Sequence, residues 1–112
     1  MKLRKRPSAR PAKRYVFFRV HTDVSVAFEN LKNAIFEELE SYLGSSGLAA
    51  SGATVMKSLW EPQAKMGVIR CGPKFVDGVK VSLALVRQVG DQAVVLQTVR
   101  VSGTIRAAIS DH

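Results

Sequence analysis

The order of apolar periodicities along the chain is the feature that most constrains its fold. Residues 13–20 are aromatic and β-branched without a breaker, which predicts a strand. Apolar side chains then recur every three or four positions over residues 24–43, which predicts an amphipathic helix. The elements expected downstream are a strand at 53–60, a strand at 65–71, a helix at 73–87 and a strand at 92–101. This β-α-β-β-α-β order predicts an α+β, ferredoxin-like two-layer sandwich, in which two helices cover one face of a four-stranded antiparallel sheet.

The ends of the first helix are predicted from local signals. Asp23 or Ser25 is expected to cap its start, and Gly44 is expected to end it. Residues 44–52, GSSGLAASG, are then expected to form a flexible connection. Their composition resembles a phosphate-binding loop, but such loops follow a strand and precede a helix, which is the opposite order.

The segment 73–87 fits the periodicities of both a strand and a helix. A helix is preferred because Pro73 suits a first helical turn and Gly90 suits a C-terminal stop.

Composition bounds the class of protein. At 112 residues, with 46% apolar content, the chain is expected to form one domain with a substantial core. No apolar run approaches the roughly 18 residues of a membrane span, and no signal peptide is recognised. Cys71 is the only cysteine, which fits a reducing compartment. No membrane association and a cytoplasmic location are therefore expected.

The net charge of +8 is concentrated at the N-terminus. Residues 1–14 hold seven of the 17 Lys and Arg residues and none of the nine acids, and Pro7 and Pro11 oppose a helix there. We expect residues 1–12 to be a flexible basic tail that binds nucleic acid by counterion release. Residues 13–112 are expected to form a single α+β domain. The alternative roles for the tail are a solubilising arm and a mitochondrial transit peptide.

Signals of enzyme chemistry are weak. His21 and His112 are far apart, and a single cysteine leaves no metal constellation with ligand-like spacing. No nucleophile elbow or phosphate-binding loop motif is recognised. The sequence therefore predicts no catalytic residue, no metal ligand and no cofactor on this chain.

An open sheet face beside a basic tail is typical of RNA-recognition-motif domains, which stack bases on aromatic side chains of the first and third strands. Alternation in the first strand places Tyr15, Phe17 and Arg19 on one face and three apolar residues on the other. The predicted third strand, KMGVIRC, has no aromatic residue. Contacts with RNA phosphates are therefore predicted in preference to base-specific stacking.

A corner closes the last predicted strand, with the sequence SGTIR at 102–106. Gly103 is able to adopt a positive φ, which would aim backbone N–H groups outward beside Ser102, Thr104 and Arg106. The corner is therefore a predicted RNA-backbone contact. The alternative is that Arg106 anchors the end of the chain to its own fold.

Four segments together resemble the archaeal-type ribonuclease P protein component 2 family, whose eukaryotic relatives are subunits of ribonuclease P and of mitochondrial-RNA-processing ribonuclease. The segments are KRYVFFRV, FEELESYLG, GVIRCGPKF and VRVSGTIRA, in that order over most of residues 13–107. The most specific parts are the RY start of the first strand, Arg70-Cys71 with Lys74-Phe75 just beyond, and the GTIR corner.

This resemblance implies a noncatalytic protein subunit of a ribozyme. In the family, the RNA holds the magnesium ions and cleaves precursor tRNA at the 5′ end of the mature sequence. The partners implied are ribonuclease P RNA, precursor tRNA, ribonuclease P protein component 3 and the other ribonuclease P protein subunits. Contact with a protein partner is expected on apolar surface, around Phe28, Phe75 or Trp60.

The residues predicted to bind RNA come from the tail, the strands and the corner. They are Arg4, Lys5, Arg6, Arg10, Lys13, Arg14, Arg19, Arg70, Lys74, Arg100, Ser102, Thr104 and Arg106. The alternative functions are a generic basic RNA-binding module, such as a ribosome-associated protein, and a small ferredoxin-like enzyme or ligand-binding regulator.

Overall fold

A computed structural model describes residues 12–104. One four-stranded sheet is built from β1 (Arg14–His21), β2 (Thr54–Val55), β3 (Met66–Cys71) and β6 (Val95–Ser102). The order across the sheet is β2-β3-β1-β6, and all neighbouring strands are antiparallel. Helices α1 (Phe28–Ser51) and α2 (Val76–Leu85) connect its strands, and β4 (Gln88–Val89) and β5 (Gln92–Ala93) form a separate hairpin. The predicted ferredoxin-like α+β fold is confirmed.

The main core lies between the sheet and the helices. Val16, Phe18 and Val20 of β1 are at most 2% exposed and contact buried leucine and isoleucine side chains of α1. Helix α2 adds Val79 and Leu83, both fully buried. The predicted alternation of β1 is confirmed, because side chains two residues apart in a strand point to the same face.

Helix α1 differs from its prediction at both ends. It begins at Phe28, with Ala27 as N-cap and no side-chain cap, so the prediction of a cap at Asp23 or Ser25 is wrong. Gly44 is non-helical at φ 78° and ψ 166°, so it interrupts the helix where the sequence predicts an end. The chain then returns to helical structure, and Gly52 forms the left-handed C-cap. The predicted flexible connection is therefore mostly helical.

Tertiary burial explains why this Gly- and Ser-rich segment is helical. Leu48 packs against the core, Ser51 is 1% exposed, and the Ser51 hydroxyl donates to the carbonyl of Leu48 over 2.7 Å. Packing of one face outweighs poor helix propensity, as it does for most helices in proteins.

The strand predicted at 53–60 is much shorter than expected. Only Thr54–Val55 pairs with β3, and a 3-10 turn follows at Lys57–Leu59. The chain leaves the sheet here because Met56 and Leu59 pack across the sheet face that lies opposite the helices.

The segment predicted as a helix at 73–87 is a 3-10 turn at Pro73–Phe75 followed by α2. Gly90 does not end this helix, because Val86 is already extended at φ −70° and ψ 121°. Gly90 instead adopts a φ of 59° between β4 and β5, where a tight turn favours glycine. Within residues 12–104, neither helix combines the length and apolar content that a membrane span requires.

Candidate RNA-binding surface

The candidate surface is the sheet face that points away from both helices, here called the open face. Phe17 lies on this face, because it clusters with Val68 apart from the main core. Residues paired across neighbouring antiparallel strands share a face. The pairs on the open face are Tyr15 with Arg70 and Ser102, Phe17 with Val68 and Arg100, and Arg19 with Met66 and Gln97. The structure therefore brings Arg19, Arg70 and Arg100 onto one surface.

A small second hydrophobic cluster occupies the middle of the open face. Phe17 and Val68 are each 1% exposed, and Tyr15, Met56, Leu59 and Met66 pack against them. The half-apolar second face of β1 leaves open whether it is covered, and the sequence does not identify the covering residues. The sequence does contain an indication that the open face is covered. Met66 and Val68 are apolar and alternate with the core residues of β3, and a strand that is apolar on both faces is typically buried on both.

Arg100 completes the cover over Phe17. Its Cζ atom lies 5.5 Å from the centroid of the Phe17 ring, which is within the range of a cation–π contact. A bulge in the pairing of β1 with β6, between Phe17 and Phe18, brings Arg100 opposite Phe17. Phe17 therefore has no ring surface left on which a base could stack.

The other two open-face arginines differ in their surroundings. Arg19 is exposed and its Nη2 atom contacts the sulfur of Met66 at 3.5 Å. Arg70 is half-buried between Thr54 and Tyr15, and its buried Nε atom has no acceptor in residues 12–104. An unmet donor of this kind costs about 1 to 3 kcal/mol.

Basic side chains predominate over acidic ones at the strand positions of the open face. Residues 12–104 contain eight acids, and the strand positions on the open face hold none of them. The acids lie on the helices or in connections: Asp23, Glu29, Glu37, Glu38, Glu40, Glu61, Asp77 and Asp91. One of these, Glu29, forms an ion pair with Lys32 at 3.3 Å. Glu61 is bridged to Met66, so its carboxylate belongs at the edge of the open face. The strand positions of this face carry three arginines and no acid, which suits a polyanion.

The SGTIR corner is described only as far as Thr104, and its geometry differs from the prediction. The Ser102 hydroxyl donates to the Thr104 carbonyl over 2.8 Å and accepts from the Thr104 N–H over 3.3 Å. Positive φ values among the described glycines occur at residues 44, 52 and 90, so the prediction of a positive φ at Gly103 is wrong. The side chain of Ser102 makes the turn without a left-handed glycine.

The remaining predicted RNA contacts lie at one end of the sheet or outside the described residues. Arg14, at the start of β1, donates from Nη1 to the Lys13 carbonyl over 3.0 Å. Lys13 and Lys74 are exposed, the latter in the turn before α2. The predicted contacts outside residues 12–104 are Arg4, Lys5, Arg6, Arg10 and Arg106.

Cys71 lies near this basic end of the sheet but is fully buried. Burial raises the pKa of its thiol, and the nearby charge of Lys13 opposes that rise. A buried thiol of this kind is a poor nucleophile.

Comparisons with known proteins find a matching family model and similar archaeal proteins that share one name. The model of the Rpp14/Pop5 family matches residues 14–111. Ribonuclease P protein component 2 of Archaeoglobus fulgidus is 34% identical over 100 residues, which cover 89% of this chain and 87% of the relative. The protein of the same name from Pyrococcus horikoshii is 28% identical over 89% of this chain and 82% of its own length.

The fold also has a counterpart among solved structures. A chain in the cryo-EM structure of yeast ribonuclease MRP superposes with a TM-score of 0.64 at 12% identity. The match covers 86% of this chain and 77% of the yeast chain. At this level of identity the likeness concerns the fold.

Proposed function

The chain belongs to the Rpp14/Pop5 family, and we propose on this premise that it is a noncatalytic protein subunit of ribonuclease P. In this proposal the RNA holds magnesium and cleaves precursor tRNA to generate the mature 5′ end. The protein binds the RNA and supports its active fold. The shared name of the archaeal relatives supports the assignment to ribonuclease P.

The observation that carries the RNA-binding role is the open face itself. Arg19, Arg70 and Arg100 lie there without a carboxylate among the strand positions they share. Each arginine that meets a phosphate releases counterions and reduces repulsion between crowded RNA strands. RNA folding would then need less magnesium.

The cover over Phe17 supports contact with the RNA backbone rather than with bases. Base-reading domains of this fold present exposed aromatic rings on the central strands. Here Phe17 is 1% exposed beneath Arg100, and β3 contains no aromatic residue. Guanidinium groups bind phosphates in a bidentate geometry that is independent of base identity.

The protein partner in this proposal is ribonuclease P protein component 3, with the other protein subunits completing the particle. Reconstitution tests the assembly. Ribonuclease P RNA is mixed with component 3 at low magnesium, and cleavage of precursor tRNA is measured with and without this chain. We expect cleavage to increase when the chain is added. No increase would contradict the assignment to ribonuclease P.

A matched pair of variants tests the surface. Arg70→Ala/Arg100→Ala removes two charges from the open face, whereas Lys80→Ala/Arg87→Ala removes two exposed charges outside it. We expect only the first pair to weaken binding to ribonuclease P RNA. Equal affinity of the unmodified chain for unrelated RNAs would favour a generic RNA-binding module.

A further inference from the structure

A hollow lies where β1 ends, between the connection that follows β1 and the β4–β5 hairpin, and is here called the His21 hollow. Its volume is about 690 Å³. Its polar lining residues are His21, Thr22, Asp23 and Gln92. Val24, which is 38% exposed, adds an apolar patch. An apolar surface with a few polar groups around it is typical of sites for small ligands or ligand groups.

The His21 hollow is continuous with the open face. His21 follows Arg19 by two residues in β1, so both side chains point to the same face of the sheet. The Nε2 atom of His21 lies 2.7 Å from Oε1 of Gln97, and Gln97 is the residue of β6 that pairs with Arg19. Two residues of a strand span about 7 Å. One nucleotide is therefore long enough to place its phosphate at Arg19 and its base in the hollow.

Hydrogen bonds hold the walls of the hollow in place. The Nζ atom of Lys65 donates to the Thr22 carbonyl over 3.1 Å, and the Val20 N–H donates to the Lys65 carbonyl over 2.8 Å. The contact with Gln97 likewise fixes the orientation of the His21 ring. Groups that are positioned before a ligand arrives lose less conformational entropy when it binds.

Two of the polar groups in the hollow are unpaired. Within residues 12–104, the carboxylate of Asp23 and the side-chain amide of Gln92 form no side-chain hydrogen bond or ion pair. A carboxylate beside a phosphate-binding surface opposes contact with the RNA backbone. The same carboxylate is favourable for a base edge that carries hydrogen-bond donors, because an ionised carboxylate only accepts.

We propose that the His21 hollow binds one unpaired guanine of the RNA. Guanine carries N1–H and N2–H donors side by side on its Watson–Crick edge, and these match the two oxygens of Asp23. Each of the other bases places an acceptor beside its donor on that edge, which the carboxylate repels. The His21 ring and the Val24 side chain offer surfaces for the face of the base. This inference rests on the proposed function and deepens it, because it adds recognition of one base to a surface that otherwise matches phosphates.

The first test compares single-stranded RNAs that differ at one base. Oligouridylates with one central guanine, inosine, 7-deazaguanine or adenine are titrated into the full-length chain, and binding is followed by fluorescence anisotropy. Inosine lacks the N2 amino group, whereas 7-deazaguanine keeps the whole Watson–Crick edge. We expect adenine to bind about tenfold and inosine about fivefold more weakly than guanine. The 7-deazaguanine RNA should bind as tightly as the guanine RNA.

A matched pair of variants tests the role of Asp23. Asp23→Asn replaces one acceptor oxygen with a donor, so it should abolish the preference for guanine over inosine. Asp77→Asn removes the same charge from an exposed position on α2 and should keep that preference. Removal of any acid strengthens binding of every RNA, so the readout is the ratio of the affinities for guanine and inosine. His21→Ala should weaken binding of the guanine RNA, whereas His21→Phe should retain it because an aromatic ring remains.

Three outcomes would overturn the proposal. Equal affinities for the guanine, inosine and adenine RNAs would show that no base is read, and would leave the RNA-binding role itself to the test with Arg70→Ala/Arg100→Ala. A guanine preference that survives in Asp23→Asn would place the base elsewhere on the protein. Tighter binding of free guanosine monophosphate than of the guanine RNA would assign the hollow to a free nucleotide. Absence of all RNA binding would contradict the proposed function as well, so the two failures are distinguishable.

Discussion

The guanidinium of Arg100 lies over the ring of Phe17, with Cζ 5.5 Å from the ring centroid. This contact places a cation on the open face and at the same time closes the aromatic ring beneath it. In RNA-recognition-motif domains, aromatic rings on the central strands are exposed so that bases can stack on them. The open face of this protein exposes a positive charge at the same place.

Arg100 is expected to act on RNA through its charge. Arg100→Gln should lower RNA affinity about tenfold, equal to about 1.4 kcal/mol, and should reduce the log–log salt slope by about 0.7 to 0.9. Arg100→Lys should retain most of the slope, because the charge remains. Filter binding over a range of salt concentrations measures both. Arg87→Gln, which removes a charge outside the open face, is the control. An equal fall in the salt slope of RNA binding for that variant would show that the location of Arg100 on the open face does not matter for RNA binding.

Phe17 is expected to act on stability and not on base stacking. Phe17→Ala should lower the free energy of unfolding by about 3 to 5 kcal/mol, because it empties a buried site. Phe17→Leu should lose much less, since most of the apolar volume is retained. Urea denaturation measures the difference. Unchanged stability together with strongly weakened RNA binding would instead identify Phe17 as a stacking residue.

Close packing around β3 is expected to require a glycine at position 67. A Cβ atom there would lie 2.6 Å from Cζ of Phe18 and 3.2 Å from Cε3 of Trp60. Gly67→Ala should therefore destabilise the fold by about 1 to 3 kcal/mol. At Gly72 the nearest atoms would lie 3.6 Å away, so Gly72→Ala should be near neutral. Thermal melts of the two variants test this contrast, and equal melting temperatures would contradict it.

Cys71 is expected to make stability depend on pH above the ordinary thiol range. Burial raises the pKa of its thiol above the ordinary value of 9.0, with Lys13 opposing the rise. The unfolded chain therefore releases the proton first. The stabilisation from the neutral thiol is complete below pH 9.0 and is lost as the pH rises toward the raised value. The stability difference between the unmodified chain and Cys71→Ala should shrink above that pH, and a constant difference would contradict the prediction.

The basic tail is expected to contribute mainly through electrostatics. Residues 1–12 carry five Lys and Arg residues, so deleting them should lower the log–log salt slope of RNA binding by about 4. The melting temperature should stay the same if residues 13–112 form the domain. A shortened chain with the full salt slope would show that the tail does not contact RNA.

Several features could be predicted from the sequence because they depend on local geometry. The alternation in β1 and the three-to-four-residue spacing around Leu31, Ile35 and Leu39 follow from the repeats of a strand and a helix. The sequence pattern also places Arg19, Arg70 and Arg100 on strands and predicts each of them as a phosphate contact. Whether the three arginines share one surface depends on the register between strands. The periodicity of a single strand carries no information about that register.

The sequence by itself determined the order of elements and the apolar faces that form the core, since side-chain periodicity is a property of each segment alone. Only the tertiary structure decided the course of residues 44–60. Leu48 and Ser51 make a Gly-rich segment helical by burial, and Met56 and Leu59 leave the sheet to cover Phe17. These contacts join segments far apart in the chain, and their burial energy outweighs the local preferences that a sequence displays.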